Sequence, residues 1–228
     1  MSFNKRLLKW AILKLTAPLE QYQPLYGIDS SYAYAQRQCF DRMEAIESAI
    51  SAVGLRLPGL NVLDVGSSLG FFSLHMADRG SNVDAFDVTR RLEWIVRLLA
   101  RYNGIHEHIT SRTEVLVNDQ FESLERSGKL RSKYDVVFLL SVLQHICHRY
   151  GFEYSRTFLK EIAKRTNYLI VELALRSEEH HRWAAGQPED VEEFLQGIFT
   201  NGFEVIGEGF SIGGPHRSSR PMYLCKNL

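Results

Sequence analysis

From residue 61 onward, short runs of β-branched and aromatic residues alternate with amphipathic stretches, and this alternation limits the chain to few architectures. Strands are expected at 61–65, 82–86, 114–117, 134–140 and 168–173, with helices at 69–78, 90–102, 121–127 and 154–165. Strands separated by helices pair in parallel, because the helix supplies the long crossover that parallel pairing needs. A helix at 190–199 precedes two closing strands, 203–208 and 221–225, with no helix between them. These suggest an antiparallel hairpin at one sheet edge, where Pro221 is tolerated only at a strand start or on an edge strand. The expected fold is α/β: a mostly parallel seven-stranded sheet with helices on both faces and a closing antiparallel hairpin.

Residues 1–54 read as an N-terminal helical extension with an aromatic lid, and 55–228 as the α/β domain, the two forming one structural unit. The 228 residues, 45% hydrophobic, suffice for one substantial core, and no repeat or linker argues for a second. Basic and acidic residues balance at 27 each, so no general attraction to nucleic acid is expected. Cys39, Cys147 and Cys225 are odd in number and far apart, which fits neither a disulfide framework nor a zinc site. A cytoplasmic location without metal follows as the expectation. Residues 3–15 open like a signal peptide, but Lys14 interrupts the apolar part, so export is not expected. On a helical wheel Lys5, Arg6 and Lys9 share one side and Phe3, Leu7, Trp10 and Ala11 another. The alternatives are a peripheral membrane-surface helix and a helix packed on the domain or on a second subunit. A further helix is expected from Tyr34 to Val53, capped by Ser30 or Ser31.

Val62 to Phe72 carries the chemistry, as a buried strand entering a glycine-bearing turn and then a helix. Gly66 and Gly70 lack a Cβ, so the backbone turns tightly and a ligand can lie against it. In open α/β sheets ligands gather at the carboxyl ends of the strands. Asp87 ends the second strand, where a carboxylate accepts hydrogen bonds from ribose hydroxyls, and Asp64 stands within reach of a cationic amino group.

These residues resemble the first motif of the class I S-adenosylmethionine (SAM)-dependent methyltransferases, an acidic residue followed by Gly-x-Gly-x-Gly, with Ser68 in place of the middle glycine. That departure is tolerable provided Ser68 needs no positive φ. The resemblance, over about residues 55–227, implies a Rossmann-like fold and a SAM site formed by Asp64, Gly66, Ser67, Ser68, Gly70 and Phe71. It adds Asp87 for the ribose, Asn118 or Asp119 near the adenine, and Ser141 at the end of the fourth strand. The stretch from Tyr134 to His145 is similar to the family's fourth strand and its substrate-facing turn. A narrower resemblance, to the methyltransferase part of bacterial enzymes that cap O-antigen polysaccharide, raises carbohydrate or phosphorylated sugar as acceptor classes. Those enzymes also carry a kinase domain, for which this chain is too short.

Other readings compete. Gly66-x-Ser68-x-Gly70 also matches the nucleophile elbow of serine hydrolases, but that elbow normally follows several strands. A dinucleotide fingerprint would need Gly-x-Gly-x-x-Gly, and Phe71 occupies its third glycine's place. A methyltransferase-like chain that binds SAM without catalysis is a further alternative. For an oxygen acceptor, His145 is the candidate base and Arg149 the candidate anion fork. Their bland alternatives are a histidine bonded to a loop carbonyl and a solvated arginine. Two clusters are candidates for the acceptor side: His216, Arg217 and Arg220, and an aromatic lid of Tyr22, Tyr26, Tyr32, Tyr34 and Arg37. A surface basic turn and simple docking of the N-terminal helices are the respective alternatives.

Overall fold

A computed structural model describes residues 3–19, 22–31, 35, 39–178, 186–199, 201–210 and 219–227. Seven strands form one sheet in the order β3-β2-β1-β4-β5-β7-β6. The chain divides into two compact units, Met1–Glu44 with Gly54–Val115, and Ala45–Val53 with Leu116–Leu228.

In the first unit β1 (Asn61–Val65), β2 (Asn82–Asp87) and β3 (Ile109–Thr113) are parallel. They are joined through α3 (Phe71–Asp78) and α4 (Arg90–Asn103), as parallel pairing requires. Val62, Leu63, Val83, Ala85 and Phe86 are buried, which accounts for the apolar runs of β1 and β2. α4 is amphipathic and buries Ile95, Val96, Leu99 and Ala100. The helix α1 (Phe3–Thr16) packs on α4. Ahead of β1 lie a 3-10 turn at Asp29–Ser31 and α2 (Phe40–Ala52), which contributes residues to both units.

In the second unit β4 (Tyr134–Leu140) is parallel to β5 (Thr166–Glu172), β5 is antiparallel to β7 (Ser219–Lys226), and β7 is antiparallel to β6 (Phe203–Phe210). Val136 to Leu139 and Leu169 to Val171 are fully buried. The helices are α5 (Phe121–Arg126), α6 (Leu143–Tyr150), α7 (Phe152–Lys164) and α8 (Val191–Gln196). α7 buries Phe158, Leu159 and Ile162, while Arg165 just beyond it pairs with Glu125 and Glu161 and lies 4.8 Å from the Phe121 ring centre.

Four expectations need correction. The third strand is Ile109–Thr113 and not 114–117, because an edge strand with one neighbour carries polar residues, and Val115 to Val117 drew the apolar reading away from it. The helix expected from Tyr34 begins at Phe40; residues 32–34 and 36–38 lie outside the described residues. Ser31 does not cap it: its Oγ accepts from Leu25 N–H at 2.8 Å and closes the loop before it. The closing hairpin is at the edge, yet β7 itself lies between β5 and β6. Pro221 is accommodated because it pairs only with Glu208 of β6, the β5 ladder reaching β7 at Met222.

Gly70 fixes how closely the first turn approaches α4. Its φ is 76°, and a Cβ there would lie 2.7 Å from Val96 Cγ2. Gly70→Ala therefore adds a left-handed strain to an overpacked contact and is expected to cost about 2 kcal/mol or more. The difference in urea denaturation free energy measures it.

Candidate active site

The backbone after β1 is held by the end of β2. Gly66 and Ser67 N–H both donate to the Phe86 carbonyl, at 2.8 and 3.0 Å. Ser68 N–H donates to Asp87 Oδ2 at 3.0 Å, and Thr89 N–H to Oδ1 of the same carboxylate at 3.0 Å. Gly66, Ser68 and Gly70 all have positive φ, 74°, 54° and 76°. This corrects the condition placed on Ser68, which occupies the left-handed region although it carries a side chain. The Asp87 N–H partners offset part of that strain.

Asp64 is 3% exposed and accepts from Ser73 Oγ at 2.5 Å. Burial pushes its pKa up to about 7; the Ser73 hydrogen bond opposes the rise and the neighbouring charge of Asp87 adds to it. Ser67 Oγ is buried with no protein partner among the described residues. An orphaned hydroxyl, a buried carboxylate poised to ionise and a glycine-lined turn fit a ligand with an ammonium-bearing, polar end. Phe71 opens α3, is fully buried, and gives its N–H to Gln23 Oε1 at 3.3 Å. Gln23, Ser73 and Thr89 escape sequence reasoning, since their roles depend on backbone atoms or on distant partners. Tyr26 donates to Asp78 Oδ2 at 2.7 Å and meets Phe71 edge-on, docking the loop on α3. Tyr22 is half-buried. Tyr32, Tyr34 and Arg37 lie outside the described residues.

In the second unit, Asn118 donates from its backbone N–H to Tyr154 Oη at 3.0 Å and from Nδ2 to the Tyr154 carbonyl at 3.2 Å. Its Oδ1 is buried without a protein partner among the described residues, so it is an available acceptor. Asp119 beside it is exposed. Tyr154 stacks on Tyr150 at 4.7 Å, and the Arg149 guanidinium lies 5.3 Å from the Tyr150 ring centre. The turn expected after the fourth strand is confined to Ser141 and Val142. His145 and Arg149 are on α6, one helical turn apart and both exposed.

Ser141 has φ 58° and donates from its Oγ to Glu172. Arg220 belongs to β7, where its Nε and Nη2 form a fork on Glu178 at 2.7 and 2.5 Å and its Nη1 donates to Ser141 Oγ at 3.3 Å. Its side chain is 4% exposed and that of Glu178 is 0%. This geometry makes Arg220 a positioning residue for the end of β4 instead of an exposed anion fork. His216 and Arg217 lie outside the described residues.

No known family profile matches the chain. The O-antigen chain terminator bifunctional methyltransferase/kinase WbdD of Escherichia coli is 30% identical over 211 residues, 91% of this chain and 28% of the relative. The chain thus spans under a third of that relative's length. A crystal structure of WbdD superposes with a TM-score of 0.78 at 29% identity, covering 95% of this chain and 47% of that one. The chain has the class I methyltransferase fold and is related in sequence to the methyltransferase/kinase WbdD. Magnesium protoporphyrin IX methyltransferase from Synechocystis PCC 6803, solved with bound SAM, shares the fold at a TM-score of 0.59 and 19% identity.

Within this fold, the protonation of Asp64 is the electrostatic variable of the first turn. Because its folded pKa lies above the ordinary aspartate value of 3.8, the folded state holds this proton more tightly than the unfolded chain. Its contribution to stability is therefore fully present below about pH 4 and is lost as pH rises to about 7. Asp64→Asn is expected to remove this slope and to make the ligand-free protein more stable than the parent at pH 8, as read by denaturation across pH.

Proposed function

We propose that the chain binds SAM and transfers its methyl group to an oxygen of a carbohydrate or phosphorylated-sugar acceptor, with 55–228 as the catalytic domain. The observation that carries this reading is the left-handed turn from Gly66 to Gly70 held on the Asp87 carboxylate. When bound, SAM supplies an electrophilic methyl group on a sulfonium centre. Asp87 keeps a free lone pair on each oxygen after its two N–H partners, and these accept the ribose hydroxyls. Asp64 pairs with the amino group, whose positive charge favours the ionised carboxylate that burial disfavours. Ser67 Oγ donates to the amino-acid carboxylate. Asn118 Oδ1, with Asp119 beside it, is assigned to the adenine amino group, and Ser141 to the end of the cofactor site at β4.

On the acceptor side His145 takes a hydroxyl proton, or Arg149 holds a phosphate by its fork. Tyr22, Tyr26, Arg37, His216 and Arg217 are assigned to acceptor contact, with Arg220 acting through Ser141. The carbohydrate class draws support from the O-antigen role in the name of WbdD. A cytoplasmic location and self-association belong to the same proposal.

Calorimetry with SAM and S-adenosylhomocysteine, followed by methyl transfer to sugars and sugar phosphates, tests this reading. Asp87→Ala is expected to weaken SAM binding more than tenfold, because hydrogen bonds to a charged group are lost. With a hydroxyl acceptor His145→Ala lowers kcat about a hundredfold or more at unchanged SAM affinity. With a phosphate acceptor Arg149→Ala instead raises KM. Ser68→Gly, which restores the middle glycine and relieves the positive φ, should retain methyl transfer. Absence of SAM binding, or loss of fluorophosphonate labelling on Ser68→Gly, would remove the methyltransferase reading and favour a hydrolase.

A further inference from the structure

The helix α1 has two apolar strips, and the fold uses one of them. Leu8, Ile12, Leu15 and Thr16 are buried or half-buried on the side that packs on α4. Leu7, Trp10 and Leu13 face away and are 55%, 59% and 43% exposed. Of the apolar side that the helical wheel marks, Leu7 and Trp10 are turned outward while Ala11 is half-buried. Their spacing of three residues lays them along a single face of a helix about 21 Å long.

The charge on α1 has one sign, although Lys5 is laid over the Tyr102 ring of α4 at 4.7 Å. α1 carries Lys5, Arg6, Lys9 and Lys14 and no acidic residue. α4, on which it packs, adds four arginines and a second outward tryptophan, Trp94, 48% exposed. Its only carboxylate, Glu93, is turned onto Thr113 and Arg97. Because the whole chain balances at 27 basic and 27 acidic residues, this excess is local.

We propose that the outer face of α1 docks on a bilayer surface that contains anionic lipid. Leucine and tryptophan side chains at this depth enter the boundary between headgroups and acyl chains, while lysine and arginine stems keep their charges at the phosphate level. A second copy of the chain is a poorer occupant, since a two-fold interface through this face sets cation against cation. Nucleic acid would neutralise the charge but gives Leu7, Trp10 and Leu13 no apolar phase to enter. No helix among the described residues is long and apolar enough to cross a membrane, so the contact is peripheral.

The test is sedimentation of the full chain with phosphatidylcholine–phosphatidylserine vesicles and with pure phosphatidylcholine vesicles, with tryptophan emission read in parallel. Binding to the anionic vesicles with a blue shift is expected, along with weakening in high salt. The double variant Leu7→Ser/Trp10→Ser should stay in the supernatant. Arg6→Gln/Lys14→Gln should lose roughly twenty-five-fold in partitioning, about fivefold for each charge removed. Circular dichroism and SAM affinity control for folding, since these side chains are exposed and outside the proposed catalytic site. The proposal is overturned by equal binding to neutral vesicles, by no binding to either, or by binding that survives loss of Leu7 and Trp10. A concentration-dependent dimer in ultracentrifugation that the same double variant abolishes would assign the face to a second copy instead.

Discussion

The carboxylate of Asp87 is the fastening on which the first unit's ligand-facing end depends. It is the last residue of β2, and its two oxygens receive one N–H from the loop after β1 and one from the loop after β2. The parallel register that sets Val65 beside Phe86 brings three successive N–H groups, of Gly66, Ser67 and Ser68, onto the end of the neighbouring strand. That demand forces the left-handed turn, and the turn in turn presses Gly70 against Val96. Asp64 and Asp87 are electrostatically coupled, so this end of the fold is predisposed to a cation even before hydrogen bonding is considered.

The second unit is organised around charges in its interior. Arg220 joins β7 to Glu178 and to Ser141 at the end of β4, and Ser141 is also held by Glu172 of β5. A buried ion pair contributes little net stability, because desolvation offsets the attraction, but losing one partner leaves an uncompensated charge. The arrangement therefore fixes geometry more than it adds stability. It holds Ser141 in a left-handed conformation from which α6, with His145 and Arg149, begins two residues later.

Much of this was legible in the sequence where the backbone itself imposes residue type. The glycines at 66 and 70 announce a turn whose φ values no other residue adopts readily, and the fully buried runs of β4 and β5 announce central strands. What was hidden falls into two physical kinds. Edge position removes the apolar signal, as in the polar strand Ile109–Thr113. Long-range pairing leaves no local trace: Arg220 reads as part of a basic loop because its partner Glu178 is 42 residues away. In α1 the helical wheel marks Leu7 and Trp10 as an apolar side, whereas the fold buries Ile12 and half-buries Leu8 and Leu15 in a helix that packs on α4.

The position of β7 in the sheet has a kinetic consequence. Among the described residues β6 pairs only with β7, and β7, made after it, lies between β6 and β5. During synthesis β6 therefore emerges with neither of its edges matched, and its eight residues wait as an open strand until the next one arrives. The register shift between Val205 and Gly207 interrupts the regular ladder and twists this waiting strand, which makes it a poorer template for pairing with another copy of itself.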